Sequence, residues 1–491
     1  MYRLYLRNTA SLSLASVSIY KSRNRTKADL HVPYLIVGSG TSGYYAMRTI
    51  RYLKPDSRVL LITDDEHPPY KKEIFTKEAW FSLDFSKNLT YRSLSGNMLP
   101  ALFQPREFYK SAHDLESSGA MGDQAVMLQS RVKHIHPKDN IVVLESGEVI
   151  SYNKCCLSVG QVPNVPKVLL NADIANKIHT LRTIGDFQRF QEAALSSRSV
   201  AIVGANPSSY ELAVTLKTLF SESEGIDVHL ITESERLFEF LPHSVESWLV
   251  KKIDALFSRH FTLSELRSAT DSADFVTLEF SNESINVDDI VLTVNEPATK
   301  FLNDCIEIDS SKRIIANSEL QVCSDLYSCG SSTSFYQADF GRRCLDYPNN
   351  SKLSGICAGI NMIGESAAYS DQPYFSIDFG DVFLDSLGLT SEQLKHDIYY
   401  IYPESEDKPQ ISNPDDAIKC VVAYFSDEGV LVGVTMVNFP FRLHAIRRMI
   451  SEKFNSDQFF EYLPLLLGKI DKKLIQPEEN DPSNSMGLSM T

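Results

Sequence analysis

The sequence predicts an α/β protein made of two Rossmann-like dinucleotide-binding units followed by a smaller α+β domain. Three observations predict it: a glycine-rich turn between an apolar strand and a helix near residue 40, a second strand–turn–helix–strand of the same order after residue 199, and a β-rich hairpin near the C-terminus. The 491 residues are 43% hydrophobic and 23% charged, enough to bury the cores of two or three domains.

The chain opens on a stretch unlike the rest. Residues 1–28 hold six basic residues (Arg3, Arg7, Lys21, Arg23, Arg25, Lys27), many serines and no acid. Serines interrupt its apolar run, so it fits a mitochondrial presequence better than a secretory signal, with an untargeted tail as the alternative. Six of the 48 basic residues and none of the 63 acidic ones fall in this stretch, which leaves the remainder a formal charge of −21. Such an overall field does not attract phosphate backbones, so nucleic acid is not the expected partner. No stretch approaches the roughly 18 apolar residues of a membrane span.

The first unit is "VPYLIVGSGTSGYYAMRTIRYLKPDSRVLLITDD", Val32 to Asp65. A continuous apolar strand, Tyr34 to Val37, runs into Gly38, Gly40 and Gly43, the full Gly-x-Gly-x-x-Gly. A helix with Ala46, Ile50 and Leu53 on one face follows, then a second strand, Val59 to Ile62, that ends in Asp64-Asp65. The glycines serve a tight turn, close approach of a pyrophosphate to bare backbone, and close packing of helix on strand. A carboxylate at the end of the second strand, Asp64, is placed to accept ribose hydroxyls.

The second unit, "VAIVGANPSSYELAVTL" (Val200 to Leu216), has the outline of such a turn and one of its three glycines. Gly204 is kept; Asn206 and Ser209 stand at the other two positions. The strand "DVHLITESE" follows and ends at Glu233, a candidate ribose acceptor. Asn206 puts a side chain where a pyrophosphate needs bare backbone, although asparagine tolerates a left-handed turn better than most residues. Pro207 is acceptable in a first helical turn. The helix and strand can therefore persist while nucleotide affinity is lost.

A late segment, "DLYSCGSSTSFY" (Asp325 to Tyr336), completes a plan in which the first unit is split by the second. Together with "PPYKKEIFTKEAWF", "TIGDFQRF", "FYQADFGRR" and "VLVGVTMVNFPFRLHAIRRMI", the chain resembles the apoptosis-inducing factor family of mitochondrial flavoproteins over nearly all of residues 32–470. The resemblance implies a glutathione-reductase-like fold with FAD bound at residues 29–162 and 296–371. It implies an NAD(P)H-type domain at 163–295 and the family's C-terminal domain at 372–470. Residues 471–491 read as a disordered tail by composition.

Carried over residue by residue, the resemblance implies FAD contacts at Gly38, Gly40, Gly43, Asp64, Lys72, Val132, Gly330 and Ser331. Lys72 replaces an arginine, and Ser331 replaces the ribityl-binding aspartate with a hydroxyl. Lys77 matches the lysine that approaches flavin N5, and Glu211 the glutamate that pairs with it. A cation there stabilises reduced, electron-rich flavin. On the nicotinamide side only Gly204 and Glu233 remain; Pro207 replaces an aromatic ring, Tyr347-Pro348 a histidine pair, and Ser376 a tryptophan. The expected function is thus a mitochondrial FAD-dependent oxidoreductase with weak or lost NAD(P)H use. The alternative is a non-catalytic pseudo-oxidoreductase acting as a mitochondrial binding or assembly protein or as a cell-death-related protein. Beyond the nucleotides, the expected partner is a mitochondrial protein or a second copy of the chain.

Other chemistry is sparse. The eight cysteines show no C-x-x-C and no paired spacing, and adjacent Cys155-Cys156 read as part of a buried strand. His134 and His136 lack a third ligand, so no metal is expected.

Overall fold

The computed structural model describes residues 28–466 and 475–477, apart from 83–84, 94, 118–121, 222–224, 303–305, 403–413 and 440–441. The expected presequence, apart from residue 28, and the expected tail, apart from residues 475–477, lie outside the described residues.

The first sheet grows from β1 (Leu30–Val37), followed by α1 (Thr41–Leu53), β2 (Arg58–Ile62), β3 (Asp123–Met127) and β4 (Val149–Leu157). Strands β4, β1, β2 and β3 are parallel neighbours in that order. Both faces of a parallel sheet are covered, so the strands carry near-continuous apolar runs rather than alternation. In β1, Leu35 and Ile36 have no exposed surface. An antiparallel hairpin, Val132–His136 with Ile141–Leu144, branches from β4.

The chain then leaves to build a second parallel sheet. Its centre is β5 (Ser199–Val203), α2 (Pro207–Leu219), β6 (Asp227–Thr232) and β7 (Asp289–Leu292). The order is Ile178–Thr180, β7, β5, β6, Arg259–Thr262. Registers repeat those of the first sheet: Val37 pairs with Ile62 and Leu157, Val203 with Ile231 and Leu292. Only afterwards does β8 (Leu326–Ser328) return to the first sheet, parallel to β4, with Tyr327 beside Cys156. The helix α3 (Pro348–Met362) then crosses α1 at very close range. A Cβ at Gly355 would overlap the Ser42 carbonyl, and one at Gly359 would lie 2.8 Å from the Ala46 carbonyl oxygen.

The last sheet is antiparallel, in the order Tyr374–Asp378, Phe383–Gly388, Leu431–Val437, Lys419–Phe425, Lys395–Ile401, Ile475–Pro477. It contains the hairpin read from sequence, with Gly429 at φ +75° in the turn. Helices Leu443–Ser451 and Ser456–Leu466 cover one face through Ile446, Met449, Phe459 and Leu463. The other face meets the second sheet's helix: Phe379 packs on Tyr210 at 5.4 Å, and the Tyr424 hydroxyl donates to the Phe240 carbonyl at 3.2 Å. Arg236 reinforces this seam by pairing with both Glu246 and Glu392.

Candidate functional site

The first turn is an open cradle. Gly38 takes φ +108°, and a Cβ there would overlap the Ser158 carbonyl oxygen. Gly43 is pinned for another reason: its Cβ would overlap the Gly38 carbonyl and lie 2.6 Å from Ser158 Oγ. Between them, Gly40 is ordinary extended backbone (φ −66°, ψ 180°), and a Cβ on it would meet nothing within 4 Å. Gly40 also occupies the N-cap of α1 and supplies no side-chain acceptor to the helix's first N–H groups. Unclaimed donors at a helix start, beside bare backbone and open space, fit a diphosphate.

The residues around the turn include a carboxylate suited to ribose hydroxyls. Asp64, at the end of β2, is exposed and holds Arg131 by Nη2 and Nε at 2.9 and 3.2 Å through Oδ2. The neighbouring Asp65 is already engaged by the Tyr70 hydroxyl (2.6 Å) and the His67 N–H (3.0 Å), which leaves Asp64 as the carboxylate presented outward. Val132, next to Arg131, starts the hairpin strand and is buried. Gly330, which follows β8, has φ +84°; a Cβ there would lie 2.6 Å from Oγ of Ser42 in the first turn of α1. The late segment is thereby brought against the first turn. Ser331 accepts from Arg313 Nε through its carbonyl at 3.1 Å.

Lys72 sits beside Arg182, with its Nζ 5.4 Å above the Tyr70 ring. Burial, then the neighbouring Arg182 cation, lowers the Lys72 ammonium to about 8, although Asp65, Asp64 and Asp186 oppose the shift. Arg182 donates from Nη2 to the Gln161 carbonyl at 3.0 Å, while its buried Nε has no hydrogen-bond partner. The buried, unpartnered Nε of Arg182, near the Lys72 cation, suits an anionic ligand. Arg182 was not among the residues singled out from sequence; its signal is local, since it directly precedes the Thr183–Asp186 capping box that starts the helix Ile184–Ala194.

Lys77 and Glu211 meet although they come from different sheets' surroundings: Nζ lies 2.6 Å from Oε1. Lys77 sits between two short 3-10 turns, Glu73–Thr76 and Glu78–Phe81, and Glu211 in the second turn of α2. The Thr76 hydroxyl donates to Glu211 Oε2 at 2.8 Å, and Thr215 donates to the Thr76 carbonyl at 2.7 Å. Burial raises the Glu211 carboxyl above its ordinary range, opposed chiefly by Lys77. The Lys77 side chain keeps 42% of its surface, whereas that of Glu211 keeps 11%.

The second turn is closed by its own side chains. Gly204 takes φ +137°, and a Cβ there would overlap Thr293 Oγ1. Asn206 is the N-cap of α2: its Oδ1 accepts from the Ser209 N–H at 3.2 Å, and its Nδ2 donates to the Thr293 carbonyl at 2.9 Å. In return Ser209 Oγ accepts from the Asn206 N–H at 3.3 Å and lies 2.8 Å from Thr293 Oγ1. Ser209 is fully buried. One sequence expectation is corrected here. Asn206 is extended (φ −127°, ψ 167°), so it is favoured as a cap and not for any tolerance of a left-handed turn. Pro207 occupies N1, as expected. Glu233 lies just beyond β6, exposed, the counterpart of Asp64.

Ser158 and Thr293 are equivalent in the two units. Each follows the parallel strand beside the turn strand (β4 beside β1, β7 beside β5), and each bonds the carbonyl of the turn strand: Ser158 Oγ to Val37 at 3.0 Å, Thr293 Oγ1 to Val203 at 2.8 Å. Beyond the second turn, Tyr347 at the N-cap of α3 stacks on Phe375 (4.9 Å, 12°), which meets Phe240 edge-on at 5.2 Å. Burial, followed by Asp346, pushes the Tyr347 phenol up to about 12. His134 and His136 lie on an exposed strand face, and no group of three or more metal-ligating side chains occurs among the described residues.

Residues 32–344 match the sequence profile of the family described as "Pyridine nucleotide-disulphide oxidoreductase". The chain belongs to this family. The chain is also similar to apoptosis-inducing factors. It is 30% identical to "Putative apoptosis-inducing factor 1, mitochondrial" of Drosophila melanogaster over 376 residues, covering 74% of this chain and 51% of the fly protein. It is 25% identical to "Apoptosis-inducing factor 1, mitochondrial" of Dictyostelium discoideum, covering 82% and 75%. The chain thus spans about half the length of the fly relative and three quarters of the slime-mould one. The fold matches that of a ferredoxin reductase from Rhodopseudomonas palustris, with a TM-score of 0.65 at 18% identity, over 90% of this chain and 96% of that one. Membership of the oxidoreductase family brings FAD and a nicotinamide nucleotide as its cofactors.

Proposed function

We propose that this chain is a mitochondrial, apoptosis-inducing-factor-like oxidoreductase that retains FAD and has weakened or lost its NAD(P)H site. The observation that carries the proposal is the contrast between the two turns. Gly40 leaves the start of α1 uncapped and open, whereas Asn206 and Ser209 cap α2 and fill the corresponding space. A nucleotide diphosphate at the second turn has to displace a hydrogen-bonded box worth about 1 kcal/mol before it gains any contact.

In this reading Gly38, Gly40, Gly43 and the α1 N-terminus receive the diphosphate, Asp64 the adenosine ribose, and Lys72 with Arg182 the remaining negative charge. Bound FAD supplies the two-electron redox chemistry. Val132, Gly330 and Ser331 complete the cofactor contacts, and Lys77, oriented by Glu211, serves as the cation beside the flavin ring. Gly204 and Glu233 are the remnants of the nicotinamide site. The domain division follows: 29–162 with 296–371 for FAD, 163–295 for the nicotinamide-type domain and 372–470 for the C-terminal domain. The names of the fly and slime-mould relatives and the basic, acid-free residues 1–28 support the mitochondrial assignment. Among the described residues no helix is long and apolar enough to cross a membrane.

The second reading, a non-catalytic scaffold, draws on the same closed turn. Purification of the full chain separates the two. A yellow protein whose flavin is bleached by dithionite but only slowly by NADH supports the proposal. A colourless protein that releases no flavin on denaturation overturns the FAD assignment and favours the scaffold. Bleaching by NADH within seconds overturns the weak nicotinamide site.

A further inference from the structure

The sequence offers no paired cysteine spacing, yet the fold makes a pair. Cys156, near the end of β4, and Cys329, one residue beyond β8, lie with their sulfurs 3.4 Å apart, and both are fully buried. Their strands are parallel neighbours, with Tyr327 opposite Cys156 and the Cys329 N–H donating to the Leu157 carbonyl at 3.1 Å. Side chains two residues apart on a strand share a face, so Cys329 falls diagonally across from Cys156 on the same side of the sheet.

We infer that Cys156 and Cys329 form a reversible dithiol–disulfide couple that responds to hydroperoxides and clamps the seam beneath the first turn. Closing the bond moves the sulfurs from 3.4 Å to about 2.05 Å. In the first step one thiol attacks hydrogen peroxide. The O–O bond breaks, the sulfur becomes a sulfenic acid, and water leaves. In the second the other thiol's sulfur attacks the sulfenic sulfur; the S–S bond forms, the S–O bond breaks, and a second water carries off the oxygen and proton. The pair has lost two electrons to the peroxide, and a dithiol reductant restores it.

The clamp is coupled to the turn by short paths. Two residues past Cys156, Ser158 Oγ bonds the Val37 and Gly38 carbonyls at 3.0 and 2.9 Å. One residue past Cys329, the Gly330 N–H donates to Ser354 Oγ at 3.0 Å, and Gly330 packs against Ser42. The couple is slow: the hydrogen bond to Cys329, then burial, raises the Cys156 thiol well above its ordinary range and keeps the thiolate scarce. Cys357 on α3 interacts with Cys329, but its Sγ is engaged with the Ala367 carbonyl at 3.3 Å.

The test is a cysteine map of the full wild-type chain, reduced, exposed to hydrogen peroxide for hours, then denatured in an alkylating agent and digested. The expected result is a linked peptide pair containing Cys156 and Cys329, lighter by two hydrogens, absent after a dithiol reductant, with a melting temperature several degrees higher in the linked form. Recovery of both cysteines as free alkylated residues, or a link from either one to Cys155, Cys323 or Cys357, overturns the inference. Cys156→Ala is expected to abolish the link. Should that variant fail to fold, the wild-type map alone decides. The map is read on peptides, so its outcome is independent of whether flavin is bound.

Discussion

The Lys77 ammonium and the Glu211 carboxylate lie 2.6 Å apart across the junction between the first sheet's loops and the second sheet's helix. Removing the carboxylate in Glu211→Ala strands both Lys77 and the Thr76 hydroxyl, at an expected cost of about 1–2 kcal/mol, reduced from the fully buried figure because Lys77 is partly solvated. Glu211→Gln keeps the shape and the acceptor for Thr76. Because the Glu211 pKa is raised in the folded state, its contribution is fully present below the unfolded carboxyl pKa and falls as pH rises through the folded value. Melting curves between mildly acidic and neutral pH should therefore show this slope in the wild type and lose it in Glu211→Gln.

Gly40→Ala and Gly43→Ala separate ligand binding from folding. At Gly40 a Cβ meets open space, so the apo protein should melt within about 0.5 kcal/mol of wild type while flavin occupancy after purification collapses. At Gly43 the Cβ collides with the Gly38 carbonyl and Ser158 Oγ, and the fold itself should lose about 3 kcal/mol. Thermal melts alongside flavin absorbance read both. Equal loss of stability in the two variants contradicts the reading of the turn.

Opening the second turn should exchange stability for affinity. Asn206→Gly with Ser209→Gly removes the capping box, costs about 1–2 kcal/mol of stability, and strengthens NADH binding. The measurement is flavin reduction by NADH followed by stopped flow, with a faster or lower-concentration response in the double variant. No gain would place the obstruction at the Tyr347–Phe375 stack instead.

Flavin affinity should depend on pH through Lys72. Its pKa, lowered to about 8 in the folded protein, means that the cation's cost is borne below that value and relieved above it, so the unliganded fold gains stability as pH rises from 8 towards the ordinary lysine value. An anionic diphosphate favours the charged form. Binding above pH 8 should then take up a proton, and affinity should weaken as pH rises past 8. Titration calorimetry in buffers of different ionisation enthalpy detects the proton; Lys72→Met should abolish it and weaken binding by about tenfold, roughly 1.4 kcal/mol. Lys72→Arg should bind without the pH dependence.

The first turn was readable from Gly38, Gly40 and Gly43 because its requirements are local and each is met by one residue type at fixed spacing. The cross-sheet pair Lys77–Glu211 came from resemblance alone, since no periodicity joins residues so far apart. At Asn206 the presence of a side chain in the turn was legible and its job was not: the sequence Asn-Pro-Ser-Ser also encodes a cap, and the backbone there is extended rather than left-handed. Arg182 escaped notice because its importance lies in an orphaned, buried Nε, a property of packing. Cys156 and Cys329 were invisible for a related reason. Their adjacency exists only after β8 returns to β4 past a whole intervening sheet.

The matching hydroxyls of Ser158 and Thr293 carry an implication for how such a protein changes over time. Each half ties its own loop to a neighbouring strand with an internal bond, so part of each turn's shape is held by the chain itself. A lineage can let one pocket silt up, a substitution at a time, without passing through an unfolded ancestor. A half changed in this way can stay as a rigid support for its neighbour.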